Sequence, residues 1–457
     1  MASRDPAVAV PMRREQHFGN RVVHCFGERP RSVTEVFERA RAARGEAEAV
    51  VCGALRLRYA ELGAQADRVA AGLRARGIGP GDRVALWLGN RIEFIVALIA
   101  VLRLGAIAVP LSTRLQTPEV AFILHQCSAA MLLHECELAA RVPEAADVPA
   151  LRHRVVVGEP VVDAANGFDA LLGHGCVDAP EAVGEEDTAM ILYTSGTTGK
   201  PKGAMLTHLN IVHSLLNYQY AMALGPDDRS MLAVPCSHVT GVLALVMTAW
   251  QAQGALVVMP DFNARAFLEL AARERITHTI IVPAMYNLCL LQPDFGQYDL
   301  GAWRVGGYGG APMPEATIAS FAQRVPGLGL RNVYGSTETS SPVTMMRPEL
   351  TASRPDSIGF VLPGADILVM DTEGHEVAPG QPGELWIAGP MVVPGYWEHP
   401  QATADAFVGG YWRSGDIGSI DAQGFVRVFD RFKDMINRGG YKIYSLEVEN
   451  VLSHHPG

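Results

Sequence analysis

The chain has 457 residues, 49% of them hydrophobic and 19% charged, and carries a net charge of −10. That length corresponds to about three domain-sized units of ordinary globular composition. The acidic balance argues against nonspecific nucleic-acid binding, which needs a basic footprint, and leaves room for a local cationic pocket.

The N-terminus is charged at Arg4, Asp5, Arg13, Arg14 and Glu15 and lacks an apolar core, so no secretory signal is read there. An Ala/Arg-rich stretch at 39–49 reads as a solvated helix and turn. Leu62, Ala66, Val69, Ala70 and Leu73 fall on one helical face, and glycines at 77–81 end it. Residues 84–88 form a buried-strand pattern, 94–104 a buried helix, and 106–109 another strand. The longest apolar run, 94–102, is too short for a membrane span of about 20 residues, so no transmembrane segment is expected. A second cycle runs through a helix at 264–274, a strand at 278–282, a helix at 284–291 and a strand at 330–334. Such alternation predicts an α/β fold with largely parallel sheets flanked by helices. After about residue 355, short strands at 367–370, 383–387 and 425–429 alternate with Gly- and Pro-rich turns, which predicts a small β-rich subdomain. Cys25, Cys52, Cys127, Cys136, Cys176, Cys236 and Cys289 are scattered, odd in number and nowhere at CxxC spacing. No disulfide framework or zinc site is expected, and a reducing, cytoplasmic setting fits.

The richest local signal is YTSGTTGKPKG at 193–203, directly after the apolar run 189–192. Glycine lets backbone approach a polyphosphate closely, while amides, hydroxyls and lysine supply donors and charge. The spacing is not that of a Walker A loop. Only Thr197 and Thr198 separate Gly196 from Gly199, and Pro201 follows Lys200.

The string instead resembles the phosphate loop of the adenylate-forming superfamily, which comprises acyl-CoA synthetases, luciferases and nonribosomal adenylation domains. Further segments match that family in order, from about Leu57 to the C-terminus: LRYAELGAQADRVAAGLRARGIGPGDRVAL at 57–86, YGGAPMP at 308–314, VYGSTET at 333–339, YWRSGDIG at 411–418 and FDRFKDMINRGGYKIYSLEVENVL at 429–452. The resemblance assigns Thr194, Ser195, Gly196, Thr197, Thr198, Gly199 and Lys202 to ATP. Gly309, Gly310, Ala311 and Pro312 would line the adenine and acyl pocket. Tyr334 and Gly335 would lie against adenine, Thr337 would contact the α-phosphate, and Glu338 would bind Mg²⁺ with help from Thr194. One protein carboxylate suffices for Mg²⁺, which keeps several waters. Asp416 would accept from both ribose hydroxyls, as a two-oxygen carboxylate can; taken alone, its Ser-Gly-Asp reads as a surface turn. Arg431 would contact ribose or phosphate. Lys433 would be the hinge of a swivelling C-terminal domain, and the turn at Gly439, Gly440 and Tyr441 would border the thiol tunnel.

A softer match is PCSHVTG at 235–241. His238 aligns with a residue that borders the carboxylate in acyl-CoA synthetases, and an acid–base role there is the weaker of its readings. No Asp occurs between Val234 and Gly241 to hold a substrate ammonium, which disfavours amino-acid adenylation. The acid pocket is expected near 239–243, 308–312 and 340–343. Gly241 and Gly310 read as space, and Val239, Val242 and Leu243 as an apolar wall.

The resemblance thus implies an adenylation domain over 1–432, with its β-rich part at about 355–432, and the hinge and start of a small α+β domain at 433–457. Gly457 lies only 24 residues beyond Lys433, so that domain is expected to be truncated, without the family's late lysine. Such a chain should bind ATP and adenylate poorly. The implied activity is an AMP-dependent acid–CoA ligase using ATP, Mg²⁺ and CoA on a fatty or aryl carboxylic acid. A carrier-protein loading enzyme and a noncatalytic nucleotide binder are the alternatives. A homodimer is left open.

Overall fold

The computed structural model describes residues 10–159, 163–194 and 201–432, with the backbone of 436–438 and 441–443. Two large sheets carry the fold. The first has six strands in the order Lys202–Thr207, Thr188–Thr194, Ile107–Pro110, Arg83–Trp87, Met131–Glu135, His153–Val157. Its central pairs are parallel, and Lys202–Thr207 closes one edge as an antiparallel hairpin with Thr188–Thr194. The second has nine strands, with a parallel centre through Gly329–Tyr334, Val305–Tyr308, His278–Ile281, Arg229–Leu232, Ala255–Val258 and Glu48–Cys52. Helices cover the faces of parallel strands, and Ala255–Val258 and Ile107–Pro110 are accordingly apolar throughout.

The apolar run at 94–102 becomes the helix Ile92–Arg103, buried at every position but Glu93, as expected of a helix that is hydrophobic nearly all round. It packs on Tyr59–Ala75, whose Leu62, Ala66, Val69, Ala70 and Leu73 are fully buried. The stretch at 39–49 is the end of a helix and a turn, as read, with Arg39, Ala42, Ala43 and Glu46 exposed. The helix Val33–Arg44 buries Val36, Phe37 and Ala40, and Glu48–Cys52 is a sheet strand. Arg41 is spent on Asp67 at 3.0 Å, beside the buried Arg103, which pairs with Asp67 at 2.8 Å and with Glu38. Arg41 and Arg103 tie the helices together through Asp67, while Arg39 stays on the exposed face and pairs with Glu35 of its own helix.

Beyond the second sheet, Asp366–Met370, Gly383–Ala388, Tyr411–Ile420, Phe407–Val408 and Val426–Arg431 form an antiparallel five-stranded sheet with its own apolar cluster around Ile367, Leu385, Ile387 and Val426. Ser-Gly-Asp, a surface turn when read alone, lies inside the ten-residue strand Tyr411–Ile420. A bulge between Ile417 and Gly418 and the positive φ of Gly415 (+72°) bend that strand without ending it. No described helix is long and apolar enough to cross a membrane.

Candidate active site

The phosphate-loop segment is carried by the hairpin at the edge of the six-stranded sheet. Thr194 and Lys202 face each other as its last pair, and the Thr194 hydroxyl donates to the Lys202 carbonyl at 3.4 Å. Ser195, Gly196, Thr197, Thr198 and Gly199 lie outside the described residues, as does Lys433. The stem that presents the loop is therefore described, and its lysine side chain has a distinct partner. The Lys202 ammonium sits 5.3 Å from the centre of the Tyr396 ring, a cation–π distance.

Tyr396 connects this stem to Glu338. Its hydroxyl donates to Glu338 Oε1 at 2.9 Å. Residues 393–397 run alongside the strand Lys202–Thr207: Met205 N–H donates to the Gly395 carbonyl at 3.1 Å, and Trp397 N–H to the Gly203 carbonyl at 2.7 Å. Val393 N–H caps the Glu338 carbonyl at 2.9 Å. Glu338 sits in the short 3-10 turn Thr337–Thr339, which packs on the same strand, and the residue is 8% exposed. Burial, with the Glu338 carboxylate beside it, pushes the Tyr396 phenol well up, so it stays a neutral donor. Among the described residues no lysine or arginine pairs with Glu338, and none donates to Oε2. A buried hard carboxylate with a spare oxygen and no protein cation fits a bound Mg²⁺. The Glu15, His17 and Cys25 cluster does not fit a metal, because Arg29 already meets both Glu15 oxygens at 2.7 Å.

A second buried carboxylate lies on the five-stranded sheet. Asp416 and Arg431 are directly opposed across neighbouring strands, with Arg431 Nε 3.4 Å from Asp416 Oδ1. Tyr334, at the end of Gly329–Tyr334, donates its hydroxyl to Asp416 Oδ2 at 2.6 Å. Burial raises the Asp416 carboxyl above its ordinary value, and the Tyr334 hydroxyl and Arg431 oppose that shift. The Arg431 side chain is 62% exposed, so it can turn to another anion at little cost.

Tyr334 and Glu338 are four residues apart, and Gly335 and Thr337 between them are half-buried. Tyr308 ends the neighbouring strand and is buried, while Gly310, Ala311 and Pro312 form an exposed turn beyond it. Gly309 is required where it stands, since a Cβ would meet the Val333 carbonyl at 2.3 Å. Gly310 has φ +76° and open space around it. The reading of Gly241 as pocket space is corrected: a Cβ there would strike the Pro235 carbonyl at 2.2 Å. That glycine lets the chain enter the π-helical turn Thr240–Met247, whose Val242 and Leu243 are wholly core. His238 precedes this turn and is exposed, and its ring makes no hydrogen bond among the described residues.

Sequence reasoning missed Tyr396. It lies 58 residues after Glu338, in a Pro-Gly-Tyr-Trp turn whose only signal is an aromatic pair behind a turn dipeptide. It also missed the polar row on the helix His208–Met222, where buried Asn210, His213, Ser214 and Asn217 stand among leucines. Polar residues in a helix without an exposed face are a readable sign of interior hydrogen bonding.

The profile of the AMP-binding enzyme family matches residues 37–397. Feruloyl-CoA synthase of an Amycolatopsis species is 36% identical over 411 residues, covering 90% of this chain and 81% of that protein. The long-chain-fatty-acid–CoA ligase FadD13 of Mycobacterium tuberculosis is 34% identical over 406 residues, covering 88% and 79%. Among solved structures, the anthranilate CoA ligase AuaEII in complex with anthranoyl-AMP superposes with a TM-score of 0.87 at 25% identity, over 93% of this chain and 82% of that one. The chain belongs to the AMP-binding enzyme family, as an adenylate-forming enzyme of the acyl-CoA synthetase type.

Proposed function

We propose that this chain activates an organic acid with ATP and passes the acyl group to CoA. In the first step a carboxylate oxygen attacks the α-phosphorus and the bond to pyrophosphate breaks, leaving an acyl-adenylate. In the second the CoA sulfur attacks the acyl carbon, the C–O bond to AMP breaks, and the thiol proton leaves to solvent. The first step joins two anions, so positioning and charge neutralisation dominate catalysis. A bound Mg²⁺ would neutralise phosphate charge, held by Glu338 with Thr194 beside the loop.

One observation carries this reading: Tyr334 donates to Asp416 and stands four residues from Glu338. That contact ties a buried acceptor suited to a ribose diol to a buried carboxylate suited to a metal. Thr337 lies between them for the α-phosphate. Thr194, Lys202 and the loop they carry serve the outer phosphates, with Ser195, Gly196, Thr197, Thr198 and Gly199 as donors. Gly309, Gly310, Ala311 and Pro312 border the base and the acid, Gly335 lies beside the base, and Arg431 reaches ribose or phosphate. His238 borders the acid, and Lys433 acts as hinge.

The acids named for the relatives are an aryl propenoate, a long-chain fatty acid and an aminobenzoate, so kinship alone does not choose among fatty and aryl acids. The test is a panel of such acids, each assayed for acid- and CoA-dependent AMP formation. AMP release that requires both the acid and CoA supports the ligase. Acid-dependent pyrophosphate release that CoA never converts to thioester contradicts CoA as acceptor.

A further inference from the structure

The helix His208–Met222 has the sequence HLNIVHSLLNYQYAM, with no Asp, Glu, Lys or Arg, and is buried from His208 through Tyr218. Positions 210, 214, 217 and 218 share one face. Three of them hold the backbone around Glu338. The Asn210 amide donates to the Pro390 and Val392 carbonyls at 2.7 and 3.1 Å, next to the residue that caps Glu338. The Ser214 hydroxyl lies 2.5 Å from the Ser340 carbonyl and also against that of Ser341. The Tyr218 hydroxyl meets Ser341 Oγ at 2.9 Å. Ser340 and Ser341 have φ of +50° and +26°, a conformation that needs such support in residues other than glycine.

The fourth member differs. Asn217 is fully buried, and neither its Nδ2 nor its Oδ1 has a partner among the described residues. Ser340 Oγ, on the bend this face supports, is likewise buried without a partner. Interior amides are normally paired, and an unpaired one needs an explanation. Ser340 and Ser341 follow Glu338 by two and three residues, so this helix face backs the turn that carries the Glu338 carboxylate.

We propose that Asn217 is a specificity-determining residue for the acid, its amide receiving a hydroxyl carried on the acid's tail. The proposal rests on the ligase reading. A hydroxyl donates one hydrogen bond and accepts another, which complements a carboxamide offering Oδ1 and Nδ2. A charged tail group is disfavoured, since the helix supplies no counter-charge. Sites built to pair a substrate hydroxyl reject the analogue that lacks it more strongly than apolar pockets reject an added methylene.

The experiment uses matched acids, a 4-hydroxyphenyl propenoate against its unsubstituted counterpart and an ω-hydroxyalkanoate against the alkanoate. Each is read by KM, kcat and the shift in melting temperature on binding. In at least one pair the hydroxylated acid is expected to have a KM lower by about tenfold or more, with kcat changed far less. Asn217→Leu brings the two KM values together, and Asn217→Ser, smaller but still polar, keeps part of the gap. No preference in either pair, or a preference that survives Asn217→Leu, overturns the proposal and leaves the amide to a buried water shared with Ser340. If no acid is turned over, the melting shifts decide separately. A hydroxyl-specific shift lost in Asn217→Leu upholds the site while the ligase reading fails, and no such shift removes both.

Discussion

Glu338 and Asp416 are both buried carboxylates with one oxygen on a tyrosine hydroxyl, and they differ in what faces the other oxygen. Asp416 has Arg431 at 3.4 Å, on the opposing strand of a small antiparallel sheet. Glu338 has no cationic partner among the described residues and sits in a turn fixed by residues 393–397. Leaving a buried carboxylate without a protein cation is costly unless another cation arrives. A carboxylate whose charge is already balanced is better suited to a neutral diol. Under the proposed function, a divalent ion would complete Glu338 and ribose hydroxyls would take the open side of Asp416.

The comparison breaks most sharply at Glu338. Glu338→Gln keeps the shape and the Tyr396 contact while removing the charge. Acid-dependent pyrophosphate release is expected to fall by about 10²–10³, with the melting temperature changed little. Tyr396→Phe leaves the charge but frees its orientation. The Mg²⁺ concentration giving half-maximal activity should rise by roughly 10–100-fold, the usual effect of losing a partner that orients a metal ligand. On the other side, Asp416→Ala should raise KM for ATP by about tenfold or more, the worth of hydrogen bonds to a charged acceptor. It should also lessen the discrimination between ATP and its 2′-deoxy analogue. The smallest kinetic effect belongs to Arg431→Ala, at about two- to threefold on KM for ATP, because its side chain is largely exposed.

A stability measurement sharpens the same contrast. Burial raises the Asp416 carboxyl in the folded chain, so between its unfolded and folded pKa values the native state binds the extra proton. Stability from this group therefore falls as pH rises through that window, and the loss is complete above the folded pKa. Asp416→Asn is expected to melt slightly higher than the parent at neutral pH and to lose that pH dependence, while binding ATP more weakly. An Asp416→Asn protein that melts lower at neutral pH would contradict the assignment of burial as the dominant influence.

The candidate residues were nameable in advance because they sit in short contiguous strings. The segment 193–203 stood out by composition, while Tyr334 with Glu338 and Asp416 with Arg431 were singled out by the resemblance of their strings to a known family. What joins them was not. Tyr334 meets Asp416 across 82 residues, and Tyr396 meets Glu338 across 58, and a tyrosine in a turn does not announce a carboxylate partner. The fold followed the same rule. Helices with one apolar face and strands with continuous apolar runs were readable from periodicity. The long strand through Asp416 was not, since Ser-Gly-Asp carries turn chemistry and the extended path is imposed by pairing on both sides. Gly241 misled because a glycine needed for close backbone contact and one needed for open space look alike in sequence.

The measurement that bears most directly on the central claim is acid-dependent exchange of labelled pyrophosphate into ATP, run on this chain and on Glu338→Gln with and without Mg²⁺. The expected result is exchange that requires both an acid and Mg²⁺ and is lost in the variant while ATP still binds. Exchange that persists undiminished in Glu338→Gln, or its absence with every acid although ATP binds, would contradict an adenylation site organised around Glu338.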